Sequence, residues 1–130
     1  MEQLDALVQQ AWEVRRAHFA DEIFFDFPTL TESITLTGQS CALNCAHCGG
    51  HYLKGMRSVP EIKAQGSPNS NYGFRSALIS GGCTLEGKVP FTQQLDFLHK
   101  LKQDVRLNFH VGLLDGDEIL LLKDLANVVS

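Results

Sequence analysis

The period of the apolar positions changes several times along the chain. Over residues 2–20, Leu4, Leu7, Val8, Ala11, Trp12 and Phe19 recur at three- and four-residue steps. Glu2, Gln3, Gln9, Gln10, Glu13 and Arg16 fall mostly between them. This spacing predicts an amphipathic helix with one face to bury, and Trp12, a large aromatic, reads as its core anchor. Residues 21–28 add Phe24, Phe25 and Phe27, also read as core. Ser33–Thr37 then alternates, with Ile34 and Leu36 on one face, as a strand does. Residues 57–75 contain Pro60, Gly66, Pro68, Gly73 and the polar run Ser67–Asn71. That leaves room for one or two helical turns around Pro60 to Gln65, with Pro60 tolerated at a first helical position.

Ser76–Ser80 reads as a second strand, closed by Gly81-Gly82. Pro90–Lys102 reads as a helix whose apolar face is Phe91, Leu95, Leu98 and Leu101. Val105–Gly112 reads as a third strand, in which Leu107, Phe109 and Val111 alternate with Asn108 and His110. Asp115-Gly116-Asp117 is a turn that offers carboxylates to the start of a helix over Glu118–Ala126, and Asn127–Ser130 opens a fourth strand. Strands alternating with helices predict an α/β fold with a parallel sheet and crossover helices. The chain divides into residues 1–28, the helix and its aromatic lead-in, and residues 29–130, the α/β part.

Size and composition narrow the class. The 130 residues make one domain, and a chain of this size buries about two-thirds of the surface its unfolded form exposes. Eleven basic against fifteen acidic residues give a net charge of −4, which argues against a nucleic-acid partner that would favour a basic stripe. No apolar run approaches the roughly 18 residues of a membrane span. Glu2 and Asp5 stand where a signal peptide would carry basic residues. The expected location is the cytoplasm, where four cysteines read as metal or catalysis and not as disulfides.

Three of those cysteines are Cys41, Cys45 and Cys48, spaced C-x3-C-x2-C in a loop at residues 38–53 that follows the first strand. So short a loop can aim three sulfurs at one centre. Three thiolates leave one position of a metal centre open, as reactive sites do. Thiolates suit an iron–sulfur cluster or zinc better than hard cations. The spacing alone does not choose between cluster and zinc.

The cysteine spacing, its place after a first strand, and the later Ser80-Gly81-Gly82 after a second resemble the radical S-adenosylmethionine (SAM) superfamily. Within it, Ser33–Met56 and Ser76–Phe91 are similar to the biotin-synthase-like and archaeal lipoyl-synthase-like branch. The resemblance covers residues 24 to 130 and matches the first part of the family domain. It implies a partial TIM-type parallel β/α barrel of about three βα units plus the start of a fourth strand. A complete barrel of this kind runs to about 250 residues. It also implies that Cys41, Cys45 and Cys48 ligate three irons of a 4Fe–4S cluster, with the fourth iron free for SAM. Reductive cleavage of SAM would then yield a 5′-deoxyadenosyl radical that abstracts a substrate hydrogen. A reductant protein of the flavodoxin or ferredoxin type would supply the electron.

Further site residues follow from the same resemblance and, for Asn108 and His110, from the alternation of strand three. His47 stands where the family usually has an aromatic residue near the SAM adenine. Its alternatives are a fourth zinc ligand and a solvent-facing loop histidine. Gly81 and Gly82 stand where the family's Gly-Gly-Glu-type motif meets the methionine end of SAM, glycine allowing close backbone approach; the alternative is a simple turn. Cys83 replaces the acidic residue often found there, and reads as a small apolar residue, a group in the substrate cavity, or a ligand of an auxiliary cluster. Asn108 and His110 fall on the lumen side of strand three, where His110 reads as a cofactor contact or a structural histidine. His51 and Tyr52 are placed to shield the cluster.

Two rival readings stay open. One is a non-enzymatic zinc module with a Cys3His ligand set. The other is a partner-dependent half-barrel, in which a second chain pairs with the open sheet edge.

Overall fold

The computed structural model describes residues 2–129 except 24, 26, 27 and 66–71. Its framework is a five-stranded, all-parallel sheet with helices, an α/β architecture. In chain order the elements are helix α1 (Glu2–His18), strand β1 (Thr31–Thr35), strand β2 (Arg57–Ser58), helix α2 (Val59–Gln65), strand β3 (Ser76–Ser80), helix α3 (Leu95–Lys102), strand β4 (Arg106–Phe109), helix α4 (Gly116–Leu125) and strand β5 (Val128–Val129). The sheet order is β2-β1-β3-β4-β5.

The register puts Ile34, Ile79 and Phe109 side by side across three strands, and all three are fully buried. They share one continuous core with Val59 and Ile62 of α2, Phe97, Leu98 and Leu101 of α3, and Leu122 and Leu125 of α4. Period-2 burial in the strands thus meets period-3.6 burial in the helices, and three helices cover the same face of the sheet. The other face carries Ser33, Leu78 and Asn108 in one row and Thr35 beside Ser80 in the next.

Local chemistry sets the helix starts. Asp115 caps α4 by accepting from the Glu118 amide at 3.0 Å, and the Glu118 carboxylate accepts from the Asp115 amide at 2.9 Å, a capping box. At α2, Glu61 accepts from the amide of Ser58 at 2.6 Å. Asn127 completes the β4–β5 connection, its side-chain oxygen accepting from the Leu107 amide at 2.8 Å.

Several expectations change. Trp12 is not a core anchor: it is 51% exposed, and Leu4, Leu7, Val8 and Phe19 are more exposed still. The sheet and α2–α4 close their core without α1, so its apolar face stands outside that core. Instead Arg15 lies over the Trp12 ring, 5.9 Å from its centroid, and closes the helix end by donating to the Ala20 carbonyl at 2.8 Å. Phe25 is likewise exposed rather than core; Phe24 and Phe27, the run Ser67–Asn71 and Ser130 lie outside the described residues.

Strand β1 runs two residues earlier than its alternation suggests, because Thr31–Thr35 pairs in full with Ser76–Ser80. Leu36 still donates to the Ser80 carbonyl at 2.8 Å before the chain turns. Strand β4 ends at Phe109, not Gly112, because the returning segment at Lys88 pairs antiparallel with Gly112 instead. The helix foreseen from Pro90 begins as a 3-10 turn over Phe91–Gln94. Strand β2 was not foreseen. Among the described residues, no helix is long and apolar enough to cross a membrane.

Candidate functional site

The cysteine loop sits at the carboxyl ends of β1 and β3, and its form is fixed by its own backbone. The Cys48 and Gly49 amides donate to the Cys45 carbonyl at 3.0 and 2.8 Å, and the His51 amide donates to the Cys48 carbonyl at 2.8 Å. This tight turn continues through Gly49 and Gly50, whose φ of 51° and 73° lie in the left-handed region that favours glycine. Cys41 and Cys45 are exposed and Cys48 is half-buried.

The loop is clamped to the segment that follows β3. The Gly82 amide donates to Thr37 Oγ1 at 2.6 Å, and the Ala42 amide donates to the Cys83 carbonyl at 2.8 Å. A Cβ on Gly82 would stand 1.9 Å from the Ser40 carbonyl oxygen and 2.7 Å from the Cys41 Cβ. Glycine at 82 is therefore demanded by the cysteine loop itself, which lies against it. At Gly81 a Cβ would come within 3.1 Å of Thr37 Oγ1 and the Val89 side chain. Close backbone approach at these glycines includes an approach between two parts of the chain.

A cavity of about 630 Å³ opens between this clamp and the uncovered face of the sheet. Cys41, Cys45, Cys48 and His47 line it from the loop, Gly81 and Gly82 from the end of β3, and His110 from the end of β4. The structure thus brings the three loop cysteines, His47, Gly81, Gly82 and His110 to one cavity, while His51 does not line it. Cys83 lines the same cavity. Burial, and then the negative charge of the Cys41, Cys45 and Cys48 thiolates, push its thiol above the ordinary cysteine range. His47 and His110 are exposed, so neither is a buried structural histidine, and the His110 amide is held by the Ile79 carbonyl at 2.9 Å. Tyr52 also lines the cavity, with the His51 ring edge-on at 5.8 Å. Asn108 shares the open sheet face but does not line the cavity.

Ser33 and Ser80 line the cavity as well and were not foreseen as site residues. Their signal was available: each is a polar member of a strand whose alternate positions are apolar.

The donor set can be tested against the groups it suggests. A single zinc needs four donors converging at about 2.0–2.3 Å from one point. Among the described residues, no three His, Cys, Asp or Glu side chains converge on a position for one ion. Three cysteines do line one cavity, and thiolate is the donor type that iron–sulfur clusters take. Compared with known proteins, the chain matches no family model, no curated protein and no solved structure.

Proposed function

We propose that this protein is an iron–sulfur protein of the radical SAM type: Cys41, Cys45 and Cys48 hold a 4Fe–4S cluster, and SAM binds in the adjoining cavity. The observation that carries this reading is the shared wall, where three loop cysteines, His47, the Gly81-Gly82 turn and His110 surround one space of about 630 Å³. Ligand sites at the carboxyl ends of parallel strands are the rule in α/β folds. Strands β1, β3, β4 and β5 also follow one another across the sheet in chain order, with their helices on one face. A partial TIM-type barrel has that arrangement, and the uncovered face is then its lumen.

When bound, the cluster supplies an electron to the sulfonium of SAM. The chain's own residues do the rest of the positioning. Cys41, Cys45 and Cys48 would hold three of the irons and leave the fourth open to SAM. His47 lies on the loop where an adenine can stack, and Tyr52 lines the same cavity. The exposed Cys41–Cys45 side of the loop is the approach for a flavodoxin- or ferredoxin-type donor.

The test is anaerobic reconstitution with iron and sulfide, followed by metal analysis and electron-spin spectra. About four irons and matching sulfide are expected, with a reduced-state spectrum that changes on adding SAM. Zinc without sulfide counts against the proposal and returns the loop to a structural zinc module.

The open edge favours a second reading, in which another chain completes the sheet. Val128 and Val129 of β5 are half-exposed beside an apolar groove of about 380 Å³ lined by Ile119, Leu120 and Leu122 of α4. Light scattering separates the two: a monomer that keeps its cluster counts against a required partner.

A further inference from the structure

Helix α1 carries an apolar stripe that its own chain does not use. Leu4, Leu7, Ala11 and Val14 stand at alternating steps of three and four, the spacing of a two-helix seam, with Val8 and Trp12 beside them. All six are exposed, and the core of the sheet and α2–α4 closes without them. Phe19, Ile23 and Phe25 add exposed apolar side chains beyond the helix end. Monomeric proteins rarely leave a large contiguous apolar surface uncovered.

Charge decides what covers it. Asp5 and Arg16 flank the stripe on one side, because the residues between them make close to three full turns. Both are exposed, and neither has an ion-pair partner among the described residues. The neighbouring charges are taken: Arg15 donates to the Ala20 carbonyl and to Asp21, and Glu13 accepts from Gln9 at 2.9 Å. Against a second copy of α1 laid antiparallel, one register satisfies both patterns. Asp5 then faces Arg16 of the second copy while Leu7 faces its Val14, and both pairs share a midpoint between Gln10 and Ala11. Ala11, small, stands at the crossing, where side-chain size sets how closely two helices approach. Such a contact is self-complementary, as two-fold symmetry requires. A parallel copy would set Asp5 against Asp5 and Arg16 against Arg16. An anionic membrane suits a helix rich in Lys and Arg, whereas here Asp5 and Glu13 balance Arg15 and Arg16. We propose that α1 docks on α1 of a second copy of this chain, antiparallel and two-fold symmetric, through Leu4, Leu7, Ala11 and Val14 with an Asp5–Arg16 pair on either side of the crossing. The proposal does not depend on what the cysteine loop holds.

The experiment is sedimentation equilibrium of the full chain, in a thiol reductant so that the exposed cysteines do not cross-link copies. The wild type should pass from 14.4 kDa at high dilution to twice that mass at tens of micromolar. Leu7→Asp should raise the dimer Kd by about tenfold or more. Its urea-unfolding curve should match that of the wild type diluted to monomer, because α1 lies outside the core. Asp5→Arg and Arg16→Asp should each weaken the dimer several-fold. The double variant Asp5→Arg with Arg16→Asp should restore it, since opposite charges meet again. A wild type that stays at 14.4 kDa throughout overturns the proposal, whether or not it co-sediments with anionic vesicles. So does a double variant no tighter than either single one. A dimer indifferent to Leu7→Asp also overturns it, and puts the interface elsewhere, the edge at β5 included. Iron and sulfide uptake is read separately, so failure here leaves the cluster reading untouched, and failure there leaves the dimer.

Discussion

The two faces of the parallel sheet are built from adjacent residues and behave as opposites. On one face Ile34, Ile79 and Phe109 lie in register and are fully buried under α2, α3 and α4. On the other, one residue away in each strand, Ser33, Leu78 and Ser80 border the cavity, with His110 beyond the end of β4. A strand places neighbours on opposite faces, so a step of one residue crosses from stability to chemistry. The difference teaches that fold and site can be altered separately, and that substitutions at neighbouring positions should have unrelated effects.

The sharpest break is on the covered face. Phe109→Ala, which also removes the edge-on contact with Phe91 at 6.2 Å between centroids, should cost about 3–5 kcal/mol in urea unfolding. A loss below about 1 kcal/mol would contradict the continuous core. Next comes Gly82→Ala, at the seam where the cysteine loop meets the end of β3. Its Cβ has no room, so the loop or the turn must shift, at about 1–3 kcal/mol. Reconstituted iron should fall with it, and full iron content with unchanged stability would refute the clamp. Third, Cys45→Ala on the site side should lower iron and sulfide uptake severely while leaving the unfolding curve within about 0.5 kcal/mol, as exposed positions do. His110→Ala should likewise spare stability and weaken SAM binding in a titration of the reduced spectrum. A large drop in stability for either would blur the division between the faces.

The smallest effect concerns pH. The Lys88 ammonium bonds Asp115 and Glu118 at 2.8 Å each, and this contact, first among its causes, holds the Asp115 carboxyl below the ordinary aspartate range. A carboxyl lowered on folding adds stability above its unfolded pKa and loses it as pH falls through the folded value. The Tm advantage of the wild type over Asp115→Asn should therefore be present at neutral pH and shrink in acid. It should be slight, because these groups are at the surface. An advantage that grows in acid would reverse the assignment.

The strands and the cysteine loop were legible because each rests on contiguous residues: alternation in Ser76–Ser80 and Arg106–Phe109, and three cysteines within eight positions. His110 followed from alternation too. What escaped depended on distant pieces of chain. Trp12 lies on a stripe that looks made for burial, but periodicity shows that a face is apolar and not that a partner face is free. Strand β2 is only Arg57–Ser58, two polar residues with no pattern, and exists because the edge of β1 at Ile34 and Thr35 accepts it. The sequence did not show that the Ser40 carbonyl, some forty residues upstream, also requires glycine at 82, because that contact joins distant pieces of chain.

That last contact also orders events in time. The Gly82–Thr37 hydrogen bond joins residues 45 positions apart, and closing so long a loop is unfavourable until the strands on either side reward it. Pairing of β1 with β3 must come first, and the cysteine loop is then set against a finished turn. On the proposed reading, a newly made chain should then take up iron and sulfide only after its sheet has formed.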